Sequence, residues 1–260
     1  MKWYSNKKIY LRKIHIFFVL IGINIKKTFY FKNIFKFLLQ LRKFKKKGGK
    51  INSLYPVLED YDSSFNNHKN QFFHADLYIS QKIFDENPLN HIDIGSRVDG
   101  LVGHLASFRE VDVLEFRSVD ISPHKNINFI REDITKIKNK KNENKYVSIS
   151  SVGVIGHIGL GRYGDSLDPD GPTKAIKSIC DLAKENANIY IMVPVGKESL
   201  EFNAHRIFNP KNIVDKFEQN NCKLVEFSLV NDHGNLILNS SLSSGENLNF
   251  GGGIFVFKKK

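Results

Sequence analysis

The sequence predicts an α/β fold: a mostly parallel sheet of seven strands, helices on both faces, and an antiparallel last strand. Three observations predict it. From residue 91 onward short apolar runs alternate with stretches of helical period, the pattern of a parallel sheet built from crossover units. The first of these runs ends in a glycine turn, His91-Ile-Asp-Ile-Gly-Ser-Arg-Val-Asp-Gly, where Gly95 permits a positive φ or a close backbone approach. The last two runs, residues 223–230 and 254–257, have no helix between them and fit an antiparallel pair.

In chain order, residues 1–50 form a basic arm. They hold 15 Lys and Arg and no acid, which leaves 24 bases against 27 acids in the rest, so the arm carries +15 and the body −3 of the net +12. The apolar run 14–25, flanked by Lys13 and by Lys26 and Lys27, is shorter than the roughly 20 residues of a spanning helix. No small-residue cleavage site follows it, only lysines. Phe31, Ile34, Phe35, Leu38 and Leu41 then recur at helical spacing with Lys32, Lys36 and Lys43 between them. A basic amphipathic helix of this kind suits an anionic lipid surface, with aromatics down and lysines at the headgroups; a short true anchor, packing on the body and partial disorder are the alternatives. Residues 45–50, with Gly48 and Gly49, read as a linker to a body spanning 51–260. The expected partner of residues 1–47 is therefore an anionic membrane, with the protein cytoplasmic and peripheral at its inner face. The slightly acidic body argues against nucleic acid. Cys180 and Cys222, far apart and without metal-ligand spacing, read as two buried thiols in a reducing compartment.

In the body, residues 75–84 carry Leu77, Ile79, Ile83 and Phe84, a helix covering the first strand. Residues 101–108 read as a helix behind the glycine turn, with His104 packed in it. The second strand, 111–116, brings Glu115 to its end, about 20 residues after the turn, where a carboxylate takes the hydroxyls of a ribose. A third strand, 127–131, precedes Asp133 and Ile134, and a fourth, 146–150, runs into the loop 151–157. The turn Asp168-Pro-Asp-Gly-Pro opens a helix that Asp170 or Thr173 can cap, with Pro172 in its first turn. A fifth strand, 188–193, is stopped by Pro194 and Gly196; residues 209–220 are helical; residues 251–253, all glycine, loosen the chain before the last strand.

Several familiar chemistries are excluded. Gly95 and Gly100 have a phosphate-loop spacing, but Leu101 and Val102 replace the Lys and Ser/Thr that would reach phosphate and magnesium. Arg97 stands where a dinucleotide fingerprint needs its second glycine. No Gly-x-Ser-x-Gly elbow and no His/Cys cluster is present. The glycine-rich loop 156–171, at the end of a central strand, carries His157, Arg162, Tyr163 and Asp165. Removing a proton from a hydroxyl as a new bond forms needs a base titrating near neutrality, and His157 is the first choice. Asn203-Ala-His205-Arg206, after the fifth strand, supplies His205 as a second base. Its Arg206 can hold an acidic or phosphate-bearing acceptor; the alternative for both His205 and Arg206 is to cap the helix at 209.

The combination of Asp93-x-Gly95, Glu115, Asp133 and a polar loop after the fourth strand resembles the class I S-adenosylmethionine-dependent methyltransferases, with their Rossmann-like sheet. The resemblance implies S-adenosylmethionine as cofactor. Asp93, Gly95, Ser96, Arg97 and Gly100 would shape the pocket around its methionine part, Glu115 would take the ribose, and Asp133 with Ile134 would face the adenine. Over residues 70–257 the glycine-turn motif, Leu105-Ala-Ser-Phe-Arg-Glu and His157-Ile-Gly-Leu-Gly-Arg-Tyr-Gly-Asp together resemble a domain-of-unknown-function family. That family is named from nematode members and is also found in bacteria, where its genes often accompany those for cell-surface polysaccharides. The resemblances imply methyl transfer to a hydroxyl of a glycan or small molecule. His157, His205 and Asp165 would be catalytic, and Arg162, Tyr163, Asn203 and Arg206 would meet the acceptor. Two departures favour a non-catalytic binding or scaffold protein instead. Arg97 interrupts the cofactor turn, pairing with the cofactor's carboxylate, Asp99 or Glu115, and Gly156 replaces the acid that related sequences place before the histidine.

Overall fold

The computed structural model describes residues 16–23, 28–62, 70–118, 124–137 and 146–260. The chain divides into two compact units, Met1–Asn66 and Asn67–Lys260. In the first, a short 3-10 turn, Phe29–Asn33, leads into α1, Ile34–Lys46. The expected amphipathic helix is present, and it runs into the stretch read as a linker. None of its residues is buried: Phe35 is 72% and Leu39 60% exposed, and Phe31, Leu38 and Phe44 are exposed with them. Lys43, Lys45 and Lys46 sit in its last turn, where cations favour the helix dipole. Within the same unit, Asn33 Nδ2 donates to Leu58 O at 2.9 Å and the Lys36 ammonium lies 4.4 Å from the Tyr61 ring centroid. The apolar run 14–25 lies partly outside the described residues, and its flanking lysines entirely so.

The second unit opens with α2, Gln71–Glu86. The Asn70 side chain accepts from Phe72 N at its start, and Asn87, in the left-handed region ahead of Pro88, ends it. β1, Ile92–Ile94, follows, then a tight helical turn, Val98–Val102, and α3, Gly103–Ala106. The helix expected over 101–108 thus begins earlier and is irregular, because Gly100 departs from helical φ and ψ. His104 is exposed, not packed. β2, Val111–Leu114, and β3, Ile127–Ile130, come next, then β4, Tyr146–Val152, and α4, Gly171–Leu182. Asp170 occupies the N-cap position of α4 but its side chain makes no capping bond. Asp168 shapes the turn instead, accepting from Asp170 N at 3.0 Å and pairing with Lys174.

β5, Ala183–Val195, is longer at both ends than the expected strand and runs through Pro194. The Pro194 carbonyl accepts from Phe208 N on the side where β4 has already ended, so the missing N–H costs the sheet no ladder bond. A separate hairpin, β6, Ser199–Glu201, with β7, His205–Ile207, is followed by α5, Pro210–Glu218. The side chain of Asn209 caps α5 by accepting from Lys211 N at 2.9 Å; neither His205 nor Arg206 does. The chain closes with β8, Cys222–Val230, β9, Leu236–Ile237, α6, Ser243–Glu246, and β10, Gly251–Lys259. The three glycines expected to loosen the chain lie inside β10. They are buried, and a side chain at Gly253 would come within 2.6 Å of Val195 Cγ1.

Among the described residues the sheet has eight strands, in the order β3-β2-β1-β4-β5-β10-β8-β9. β1 to β5 are parallel, and β10 runs antiparallel between β5 and β8. The mostly parallel sheet with an antiparallel closing strand is as expected; the eighth strand is the two-residue β9, too short to read in sequence. Strand periodicity fills two cores. Ile189, Ile191 and Val193 of β5, with Phe255 and Phe257 of β10, face Ile176 and Ile179 of α4 and Ile213 and Phe217 of α5. Tyr190 and Met192, with Ile254 and Val256, face Ala75, Ile79 and Ile83 of α2. Cys180 and Cys222 are both buried free thiols, and the fold brings them into contact.

Candidate functional site

Strand order reverses at β1, flanked by β2 on one side and β4 on the other, so the loops leaving β1 and β4 part and open a crevice at the strands' carboxyl ends. A cavity of about 530 Å³ occupies it. One wall is made of strand ends. Gly95, at φ +66°, turns the chain after β1, a conformation that L side chains rarely adopt. Its N–H donates to Leu114 O at 3.0 Å, tying the turn to β2. Glu115 follows β2, and Asp133 and Ile134 follow β3; all of them line the cavity with Gly95, Ser96 and Arg97.

Asp93 and Gly100 do not line it, which corrects their expected place at the cofactor. Asp93 is 0% exposed and braces the turn from beneath. Its carboxylate accepts from Ser96 N at 2.8 Å, Ser96 Oγ at 2.7 Å and Ser150 Oγ at 2.6 Å. Ser150 and Ser148 in turn hold the two ring nitrogens of buried His91 at 3.0 and 2.8 Å. Burial pushes the Asp93 carboxyl up to about 6 despite these bonds, and pushes the His91 imidazole down to about 3. Gly100 is needed behind the wall, because a Cβ there would meet Asp76 Oδ2 at 2.6 Å.

Arg97 does not plug the turn. Its guanidinium is bound fork to fork by Asp99, Nε to Oδ1 at 3.0 Å and Nη2 to Oδ2 at 2.8 Å. Glu115 is gripped the same way by Arg117, with Nε at 2.9 Å and Nη2 at 2.8 Å, and it also accepts from Arg117 N. Burial works against ionisation of Glu115, but the Arg117 bonds outweigh it and hold the carboxyl below its ordinary range. Asp133 accepts from Thr135 N and Oγ1 and pairs with Lys136.

The other wall comes from the loop after β4 and the β6–β7 hairpin. Gly159, at φ +78°, sits so close under the Asp168 carbonyl that a Cβ would fall 1.9 Å from its oxygen. Asp165 ties the loop, accepting from Gly159 N at 2.7 Å and from Tyr163 N at 3.3 Å. Both its oxygens are thereby engaged with backbone, and the residue stands on the cavity wall with His157. Arg206 works from behind: it does not line the cavity, its N–H donates to Gly156 O at 2.9 Å, and its Nη1 donates to Ile158 O at 2.6 Å. Asn203 is exposed in the hairpin turn, away from the cavity.

His157, Arg162, Tyr163 and His205 do line it. The Ala204 carbonyl, 2.7 Å from His157 Nδ1, can only accept, so Nδ1 carries the proton and Nε2 keeps its lone pair. Burial holds the His157 pKa below its ordinary value, with the Arg162 charge acting in the same direction, so the ring is neutral at pH 7. Tyr163 meets His157 edge to face at 5.8 Å, and His205 stands 6.4 Å from it between Phe250 and Glu201. The sequence reading did not find Gln71, Phe72, Phe116, Arg117, Pro194 and Phe250, which also line the cavity. Only Arg117, two residues past the ribose-type acid, carried a local signal.

Fold and crevice define a class: an α/β protein resembling the class I methyltransferases. The chain is similar to the 1,6-didemethyltoxoflavin-N1-methyltransferase of Burkholderia thailandensis, solved with 1,6-didemethyltoxoflavin and S-adenosylhomocysteine bound. Identity is 11% over 82% of this chain and 94% of that one, with a TM-score of 0.53. It is also similar to a candidate sarcosine dimethylglycine methyltransferase of Galdieria sulphuraria, at 12% identity over 71% of this chain and 84% of that one, with a TM-score of 0.50. In sequence, residues 111–219 match the family described as Caenorhabditis protein of unknown function, DUF268. That span holds Glu115, the His157 loop and the hairpin. No curated protein matches the chain.

Proposed function

We propose that the protein transfers a methyl group from S-adenosylmethionine to a hydroxyl of a glycan or small molecule. One observation carries the reading: a single open cavity joins an ionised carboxylate at the end of β2 to a neutral histidine whose Nε2 accepts protons. The residues fit the cofactor. Its volume lies within the range of small-molecule sites. Glu115 accepts from the ribose hydroxyls, sharing its oxygens with Arg117 or displacing it; Gly95 and Ser96 bound the methionine end; Asp133 and Ile134 flank the base. S-adenosylmethionine, when bound, supplies the reactive methyl group. His157 takes the acceptor's proton at Nε2, while the Ala204 carbonyl fixes its tautomer and steadies the imidazolium that results. The scaffold reading drew on Arg97 in the turn and on Gly156 in place of an acid before the histidine; the Asp99 fork on the guanidinium bears on the first of these alone. Calorimetric titration with S-adenosylhomocysteine tests the proposal: saturable binding is expected, and no heat at millimolar ligand rejects it.

The same proposal places the protein at the cytoplasmic face of an anionic membrane, acting on glycans for the cell surface. The exposed Phe31, Phe35, Leu38 and Leu39 beside a run of lysines support this. Among the described residues no helix is long and apolar enough to cross a membrane. In the full chain, Phe35→Glu with Leu38→Glu should abolish co-sedimentation with phosphatidylglycerol vesicles; undiminished pelleting rejects the lipid contact.

A further inference from the structure

Three arginines stand on the cavity wall, and two are already neutralised. Arg97 is held by both oxygens of Asp99, and Arg117 by both oxygens of Glu115. Arg162 is the third, and among the described residues no carboxylate pairs with it. Its Nη1 donates to the neutral carbonyl of Ala204 at 2.7 Å and lies 3.3 Å from His157 Nδ1. Its guanidinium carbon is 5.1 Å from the Tyr163 ring centroid. Asp165, an acid of the same loop that also lines the cavity, makes no ion pair with Arg162 and spends its oxygens on the N–H groups of Gly159 and Tyr163. Arg206, the other cation of this region, has its Nη1 committed to Ile158 O and does not line the cavity. A guanidinium without a carboxylate partner beside the proposed base, with the partly exposed Tyr163 next to it, is a recognition element for an anion on a ring-shaped molecule.

We propose that the acceptor is an anionic sugar or sugar-like molecule, whose carboxylate or phosphate binds Arg162 and thereby brings its hydroxyl to His157. This rests on the methyl-transfer reading. The fork of a guanidinium matches the paired oxygens of either anion, and binding there neutralises the positive charge at His157 as the acceptor arrives.

The test uses the full-length protein saturated with S-adenosylhomocysteine and titrated with glucose, glucuronate and glucose 6-phosphate. These share a pyranose and differ only at C6. At least one of the anions is expected to bind about tenfold more tightly than glucose; which of them does so distinguishes carboxylate from phosphate. Arg162→Gln should reduce that preference to under about threefold, Arg162→Lys should keep part of it, and 0.5 M salt should shrink it. Equal affinity for the three sugars, no measurable binding of any, or a preference that survives Arg162→Gln overturns the proposal. Because Arg162 is exposed, the variant should fold, and its melting temperature is recorded beside the titration. Saturable S-adenosylhomocysteine binding without anion preference removes the anion site and leaves methyl transfer standing. Anion preference without S-adenosylhomocysteine binding does the reverse.

Discussion

The two walls of the cavity are built on different principles. Gly95 and Glu115 follow directly on a parallel strand, and Asp133 and Ile134 come within four residues of one, so the ladder that fixes β1, β2 and β3 also places them. His157, Arg162 and Tyr163 sit on a loop whose shape depends on a few bonds from distant positions. These are Ala204 O to the His157 ring, Arg206 to Gly156 O and Ile158 O, and Asp168 O over Gly159. The first wall inherits the stability of the sheet, whereas the second stands or falls with its own contacts. Arg117 links them, binding Glu115 on one side and lying 5.0 Å from the Tyr163 ring centroid on the other.

If the walls are separable, changes in each should move different measurements. The largest effect is expected at the loop wall. His157→Asn should lower methyl transfer to acceptors in glycan extracts by about 10²–10³-fold while leaving S-adenosylhomocysteine affinity within about twofold. Equal losses in both would mean the walls act as one. Next, Gly159→Ala should cost about 3 kcal/mol in denaturant unfolding, since a Cβ cannot sit at 1.9 Å from the Asp168 oxygen. A negligible change would show that the loop reshapes freely.

Under the strand-end wall, pH is the probe. Asp93 has a folded pKa of about 6 against an ordinary 3.8. Between those values the unfolded chain releases the proton and the folded one retains it, so the Asp93 contribution to stability falls as pH rises from about 4 to about 6 and levels off above. Its span is on the order of 2–3 kcal/mol. Asp76, raised to about 6 chiefly by burial, adds a slope of the same sign. Buried His91, lowered to about 3, contributes with the opposite sign from about pH 3 to 6.5. Asp93→Asn should remove the falling Asp93 contribution, so that the slope of stability against pH between about 4 and 6 is more positive than in the parent protein, and an unchanged slope would place the titration elsewhere. The smallest effect is at the cofactor end: Glu115→Ala should weaken S-adenosylhomocysteine about tenfold with little change in melting temperature. Unaltered affinity would mean that the strand-end acid does not hold the ribose.

These walls also differed in how far the sequence revealed them. The end of each parallel strand is marked by where its apolar run stops, so Glu115 and Asp133 were placed by counting. Asp93 shows the limit of counting. It occupies the motif position, yet Ser96 and Ser150 claim its carboxylate, and Ser150 arrives from 57 residues away. Arg162, Arg206 and Asn203 looked equivalent as polar residues of two loops. Only the docking of the hairpin on the His157 loop separates one that faces the cavity from one behind it and one out in solvent.

By itself the sequence determined the alternation of strands and helices, the antiparallel closure, the basic helix of the arm, and the acid at the end of β2. All of these follow from periodicity and spacing along the chain, which act locally. The tertiary structure alone decided that β5 could pass through Pro194, that three glycines would be packed strand, that Arg97 would turn to Asp99, and that His157 would present Nε2 as its acceptor. Each of those depends on an atom supplied from another segment, and chain order carries no record of which segments will meet.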